Sequence, residues 1–194
     1  MHEHTLVLVK PDGVQRALSG EILARFERVG LKIIALKMLR ATRDQADRHY
    51  TLTEEWMLGV FTKASAKYQE EGKPFPHSDH KAYGKFVKDG LVEFLASAPI
   101  IAIVLEGEYA VSIVRKLVGA TEPASSPAGT IRGDFAFDTY ALSNEQNRPI
   151  RNLIHASGTV EEAKHEIGVW FTPTELQSYV SATDPIQYDE TRFR

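Results

Sequence analysis

Three short apolar runs, Thr5–Val9, Leu31–Leu39 and Ile100–Leu105, are each followed by a stretch with apolar residues at helical spacing. No other feature narrows the fold as much. After the first run, Ile22, Phe26 and Val29 fall at i, i+4 and i+7, giving a helix with Ser19 as N-cap that ends before Gly30. Thr42 and Gln45 have capping-box spacing and open a helix towards Tyr50. Val87, Leu91 and Phe94 mark a helix that stops at Ser97-Ala98-Pro99. Val111, Val114 and Val118 line another, closed by Gly119. A fourth apolar run, Leu153 and Ile154, leads into a final helix. Strands alternating with helices in this order predict an α/β (α+β) sandwich whose split β-α-β repeat is the ferredoxin-like arrangement.

Two stretches resist the pattern, about 51–82 and 134–149, and are expected to be insertions in a single domain spanning 1–194. Residues 173–194 are expected to form an irregular tail. Residues 120–133 read as a long loop with Arg132 near its end. The 194 residues contain no cysteine, which excludes disulfides, thiol catalysis and cysteine metal sites. A formal net charge of −3 argues against a protein whose main task is neutralising nucleic-acid phosphates. No apolar run approaches the roughly 20 residues of a membrane span, and the N-terminus enters a strand too early for a signal peptide. The expected setting is cytoplasmic.

Chemistry concentrates between Arg151 and Glu166. The short strand delivers His155 to a tight Ala156-Ser157-Gly158 turn, and Thr159 with Glu162 caps a helix from about Val160. Glu166, two turns along, can fold back to hold the imidazole. A histidine on such a corner can act as nucleophile or base, although a lone histidine is most often a solvated surface group. The chain has no G-x-x-x-x-G-K-[ST] loop, so any phosphates would have to be held by side-chain cations. His2-Glu3-His4 and His77-Ser78-Asp79-His80 lack a third metal ligand at fitting spacing and read as exposed polar loop.

The stretch Asn152-Leu-Ile-His-Ala-Ser-Gly-Thr-Val-Glu-Glu-Ala-Lys-His-Glu-Ile-Gly-Val-Trp-Phe171 closely resembles the active-site signature of nucleoside diphosphate kinases. Five further blocks, in the same order, extend the resemblance from Thr5 to Phe171 apart from the insertions. They are Val7–Arg16, Gly20–Glu27, Leu31–Met38, His49-Tyr50 and Pro127–Phe135. The resemblance implies a four-stranded antiparallel sheet covered by helices. It also implies ping-pong transfer of a γ-phosphoryl group from a nucleoside triphosphate to a diphosphate, by way of phosphohistidine at His155. By resemblance, Lys10 serves phosphate and ribose hydroxyl; Arg115, Thr121 and Arg132 serve the β- and γ-phosphates; Asn152 serves the sugar. Glu166 orients the imidazole, Ser157 bonds near the leaving group or to Glu166, and Tyr50 stands near the histidine.

Mg²⁺ is the cofactor implied, carried on the nucleotide, and relatives assemble as tetramers or hexamers, so a homo-oligomer is expected. The sequence departs from the family in two places. The turn after the histidine is usually Gly-Ser-Asp-Ser, so Gly158 removes a carboxylate. Gapless alignment on Gly90-Leu91-Val92 puts Val87 where the family stacks an aromatic on the base, with Phe86 adjacent as the candidate ring. Two alternatives compete with the enzyme. One is a nucleotide-binding regulator of the same fold without transferase activity, against which the retained nucleophile and cations speak. The other is a nucleic-acid-binding module, disfavoured by the acidic balance.

Overall fold

The computed structural model describes residues 2–70, 72–182 and 184–187. Four strands, β1 (His2–Val9), β2 (Lys32–Leu39), β3 (Ile100–Glu108) and β4 (Ile154–Ala156), form one sheet in the order β2-β3-β1-β4. Every neighbouring pair is antiparallel, with Val7 opposite Ile103 on one side and Ala156 on the other. The strand runs are mostly apolar because most of both faces is covered, so alternate residues enter different cores. Val7, Val9, Ile103 and Leu105 face one core, shared with Ile22 and Phe26 of α2 (Ser19–Arg28) and Val114 and Val118 of α6 (Ala110–Val118). Leu6, Leu8, Ala102 and Val104 face the other. That second core is completed by Ala46 of α3 (Arg43–His49), Val92 and Leu95 of α5 (His80–Ala96) and Trp170 of α9 (Val160–Trp170). The antiparallel four-stranded sheet and its helices are those expected of the ferredoxin-like arrangement.

Capping is partly as the sequence implied. Thr42 and Gln45 form both halves of a capping box on α3. At α9, Thr159 accepts from the Glu162 N–H at 3.1 Å. Glu162 does not complete the box; its carboxylate takes the Gly158 N–H at 2.8 Å, supplying an acceptor that the turn itself lacks. Ser19 is the first residue of α2 instead of its cap, and Val29 lies just past the helix, 43% exposed.

Several helices are not revealed by the pattern. α1 (Pro11–Gln15) occupies what reads as a turn, because Pro11 sits at its first position and Gly13 within it. α4 (Glu54–Glu70) buries only Met57, so it has no apolar stripe to read. It pairs with α5 through a ring cluster in which Phe75 lies 5.3 Å from Phe61, 5.2 Å from Tyr68 and 5.1 Å from Tyr83. α8 (Tyr140–Glu145) is a single capped turn and a half inside the stretch 134–149. Arg132 lies in α7 (Ile131–Phe135) and not in a loop, since Thr130 caps that helix through Gly133 N–H.

His2 and His4 belong to β1 and not to a loop, and both pair with Glu106 on β3, at 3.3 and 2.9 Å. His80 begins α5, with Asp79 as its N-cap. The C-terminal segment runs back along β2, where Gln177 N–H reaches Ile34 O at 2.8 Å beside a bulge between Ile33 and Ala35. α10 (Asp184–Gln187) ends the described chain, and the rest of the expected tail, 188–194, lies outside the described residues. Among the described residues no helix is long and apolar enough to cross a membrane.

Phe26 is fully buried between α2 and the sheet. Phe26→Ala should cost about 3–5 kcal/mol of unfolding free energy, read as a lower urea midpoint at unchanged slope.

Candidate active site

The site is built on a backbone distortion. Leu153 has φ 67, outside the usual range for a branched side chain, and Ile154 N–H closes a tight turn onto Asn152 O at 2.7 Å. Such a γ-turn with positive φ costs on the order of 1–3 kcal/mol and persists only where its surroundings over-determine it. Here they do. The Asp12 carboxylate accepts from Leu153 N–H at 3.0 Å, and Lys10 N–H donates to Leu153 O at 2.8 Å. Gly13 lets α1 approach: a Cβ there would lie 2.9 Å from Leu153 O and 2.7 Å from Val9. β4 therefore begins at Ile154, one residue later than the apolar run suggests, and carries His155 itself.

From β4 the His155 ring meets Glu166 on α9, with Nε2 2.9 Å from Oε1. The other carboxylate oxygen accepts from Ser157 Oγ–H at 2.6 Å, and Ser157 in turn accepts from Leu6 N–H at 3.3 Å. An ionised carboxylate can only accept, so His155 donates from Nε2 and its lone pair stands on Nδ1. Ser157 is bonded to Glu166 and is buried. Behind His155 lie two rings, His49 at 4.4 Å and Tyr50 at 6.3 Å between centroids, both edge-on. Burial raises the Tyr50 hydroxyl pKa, so it remains protonated.

His155 is held well below the ordinary histidine range, first by burial and then by Lys10, Arg132 and Arg115. The cations thus come second to desolvation in keeping the ring neutral. Burial also pushes Glu166 up, against the pull of His49, Ser157, His165 and Arg115.

Lys10 is buried and donates to Asn152 Oδ1 at 2.9 Å, while Asn152 Nδ2–H donates to Thr121 O at 2.8 Å. Asn152 therefore ties the lysine to the loop before α7. Burial and the neighbouring Arg132 bring Lys10 down to about 8. Arg132 is also buried, and burial with Arg115 lowers it to about 10. Its guanidinium already donates to four carbonyls: Asn152, Gly119, Ala120 and Ile154, at 3.2, 3.2, 2.8 and 2.7 Å. It is a cross-link between two loops before it is anything else, and little of its donor capacity remains for a ligand. Arg115, exposed on α6, makes one long contact to Ala156 O at 3.5 Å. Thr121 is exposed in its loop. Phe86 is 50% exposed on α5, its ring tilted against His77 at 5.1 Å and stacked near Tyr83 at 6.3 Å.

Three residues of this centre had no role in the sequence reading. Asp12, His49 and Trp170 lie inside the matched blocks, but the sequence pattern assigns none of them a function. The Trp170 indole N–H donates to His49 Nδ1 at 3.2 Å. His49, His155 and Glu166 bring possible metal-ligand atoms within 4.8 Å of one another. Both Glu166 oxygens and His49 Nδ1 are already engaged in hydrogen bonds, so the atoms that would face a shared ion are taken up within the protein. What the arrangement can do is present a neutral nucleophilic nitrogen among three cations.

Residues 3–176 match the sequence model described as nucleoside diphosphate kinase. A nucleoside diphosphate kinase of Pyrobaculum aerophilum is 45% identical over 178 residues, covering 90% of this chain and 97% of that one. The Synechococcus elongatus protein of the same name is 39% identical over 187 residues, covering 96% and 99%. The crystal structure of an NDP kinase from P. aerophilum superposes with TM-score 0.88 at 42% identity, covering 92% of this chain and all of that one. A transition-state mimic of the Borrelia burgdorferi enzyme with bound vanadate and ADP gives TM-score 0.76 at 37% identity, covering 94% and 95%.

Removing the Arg132 cross-link should be expensive, since carbonyls of two loops lose a charged donor. Arg132→Ala is expected to lose about 3–5 kcal/mol of stability. Hydrogen exchange should accelerate in residues 119–122 before it does so in the sheet.

Proposed function

The chain belongs to the nucleoside diphosphate kinase family, and on that premise we propose that His155 Nδ1 is the nitrogen that carries the phosphoryl group. One observation supports this above the rest: Nε2 is committed to Glu166 at 2.9 Å, and Ser157 holds the second carboxylate oxygen. The Nδ1 lone pair attacks the γ-phosphorus in line and forms the N–P bond. The bond from phosphorus to the β–γ bridging oxygen breaks, and its electron pair leaves with the diphosphate. The Nε2 proton stays in place, and the Glu166 carboxylate balances the positive charge that the ring acquires. In the second half-reaction the terminal oxygen of another diphosphate attacks the same phosphorus and returns the pair to Nδ1.

Lys10, Arg115 and the field of Arg132 receive the phosphates, with Thr121 and Asn152 beside them as phosphate and sugar contacts. Arg115 is the cation best placed to move onto a phosphate, because it is exposed and least engaged. A cationic cluster repels a bare metal ion, so Mg²⁺ is assigned to the nucleotide and not to a protein cage. When bound, it neutralises part of the phosphate charge and keeps several waters. Asp12, whose buried Oδ1 has no hydrogen-bond partner, is the carboxylate that faces this cluster. Phe86, with its ring half exposed, remains the candidate for stacking on the base. We infer a cytoplasmic homo-oligomer, a tetramer or hexamer; the exposed Leu36 and Met38 on the edge strand β2, 47% and 61% accessible, support association. A regulator that only bound nucleotide would gain nothing from a neutral, oriented imidazole.

The direct test is to mix the protein with Mg²⁺ and γ-labelled ATP. Protein-bound label should be acid-labile, alkali-stable, absent in His155→Ala and released by added GDP. Label appearing solely as free phosphate would identify a hydrolase instead. The pH dependence follows from Lys10. Its charge, needed for phosphate, is present below about 8 and lost above it, so kcat/KM should fall as pH rises through about 8. Bound phosphate opposes deprotonation, so the corresponding limb in kcat should lie at higher pH. A kcat/KM flat to well above that point would remove Lys10 from phosphate binding.

A further inference from the structure

His49 and Trp170 stand beside the imidazole, and both are buried. His49 is 3% exposed, and its Nδ1 lies 3.9 Å from Glu166 Oε1, the oxygen that His155 uses. A second imidazole this close to the carboxylate is a competitor. Protonated at Nδ1, it would donate to Glu166 and put a positive charge beside a ring that must itself become positive. The Trp170 indole can only donate, and it donates into His49 Nδ1 at 3.2 Å. That nitrogen is therefore an acceptor, and the proton of neutral His49 is on Nε2, which is buried without a hydrogen-bond partner. Leaving a buried donor unpaired is costly, so the fold gives up stability to keep this tautomer.

We propose that Trp170 reserves Glu166 for His155 by locking His49 as the neutral Nε2–H tautomer, making Trp170 and His49 a positioning pair for phosphoryl transfer. The inference rests on His155 being the phosphoryl carrier. The groups facing His49 are His155 on β4, Glu166 and His165 on α9, Lys10 at the end of β1 and its neighbour Tyr50. Of these, Glu166 alone favours a proton on His49, while burial, His155, Lys10 and His165 oppose it. Removing the indole N–H takes away the one contact that blocks the nitrogen nearest Glu166.

Two measurements test this. In the wild-type protein, nitrogen-proton correlation spectra of His49 should report Nδ1 unprotonated and Nε2 protonated from about pH 6 to about pH 8. In Trp170→Phe, Nδ1 should become protonated on the acid side. The ratio of phosphoenzyme-formation rates at about pH 8 and about pH 6 should then rise about tenfold over wild type. Adding His49→Phe, a ring that can neither protonate nor donate, should return that ratio to the wild-type value. A purely structural role predicts lower stability with an unchanged pH profile and no rescue. Wild-type His49 protonated at Nδ1, or a Trp170→Phe profile of wild-type shape, would overturn the proposal. A wild-type protein that forms no phosphoenzyme would sink the reading of His155 instead, and the tautomer spectra would still decide this one.

Discussion

The Glu166 carboxylate is the centre on which the rest of the molecule converges. It accepts from Ser157 at 2.6 Å and from His155 at 2.9 Å, and sits within 3.9 Å of His49. Glu166 stands on α9, and the three contacts come from the turn after β4, from β4 and from the end of α3. Burial raises the carboxylate's pKa, and His49, the Ser157 hydroxyl, His165 and Arg115 pull against that rise. An ionised group in so dry a place survives only when its acceptors are filled. Filling them sets the imidazole tautomer, and the tautomer decides which ring nitrogen is free to react. Chemistry at Nδ1 is thus a consequence of how a buried charge is satisfied.

The cations divide into scaffold and ligand-binding roles that sequence cannot separate. Arg132 spends its donors on Asn152, Gly119, Ala120 and Ile154, pinning the loop before α7 to the strained segment before β4. Lys10 is likewise committed through Asn152, and its charge is held at the cost of burial. Arg115 is left exposed on α6 with one long contact, to Ala156 O. A site built in this way has a rigid floor and one adaptable arm, which suits a reaction that must accept a triphosphate and then a diphosphate.

Much of this was legible beforehand. The strands could be read because both faces of the sheet are covered, so apolar residues run unbroken through Leu6–Val9 and Ile100–Leu105. α9 could be read from its cap, and the His155–Glu166 pairing from Glu166 lying two turns along that helix. What escaped was held by tertiary contact. α4 buries one residue and has no stripe, α8 is too short for a period, and α1 hides in a Pro-Asp-Gly that usually turns. Leu153 at φ 67 carries no local signal at all, since nothing in its neighbours announces that Asp12 will take its N–H. His49 and Trp170 lie 121 positions apart, and only the folded sheet brings the indole to the imidazole.

The most direct check is the position of phosphorus on the ring. Phosphoenzyme made from labelled nucleotide, with nitrogen-labelled histidine, can be read by phosphorus-nitrogen coupling in the intact protein. The hydrogen bonds of Glu166 require the coupling to appear at Nδ1 of His155, with Nε2 still bearing its proton. Phosphorus on Nε2, or on any other side chain, would mean that the carboxylate does not choose the nucleophile.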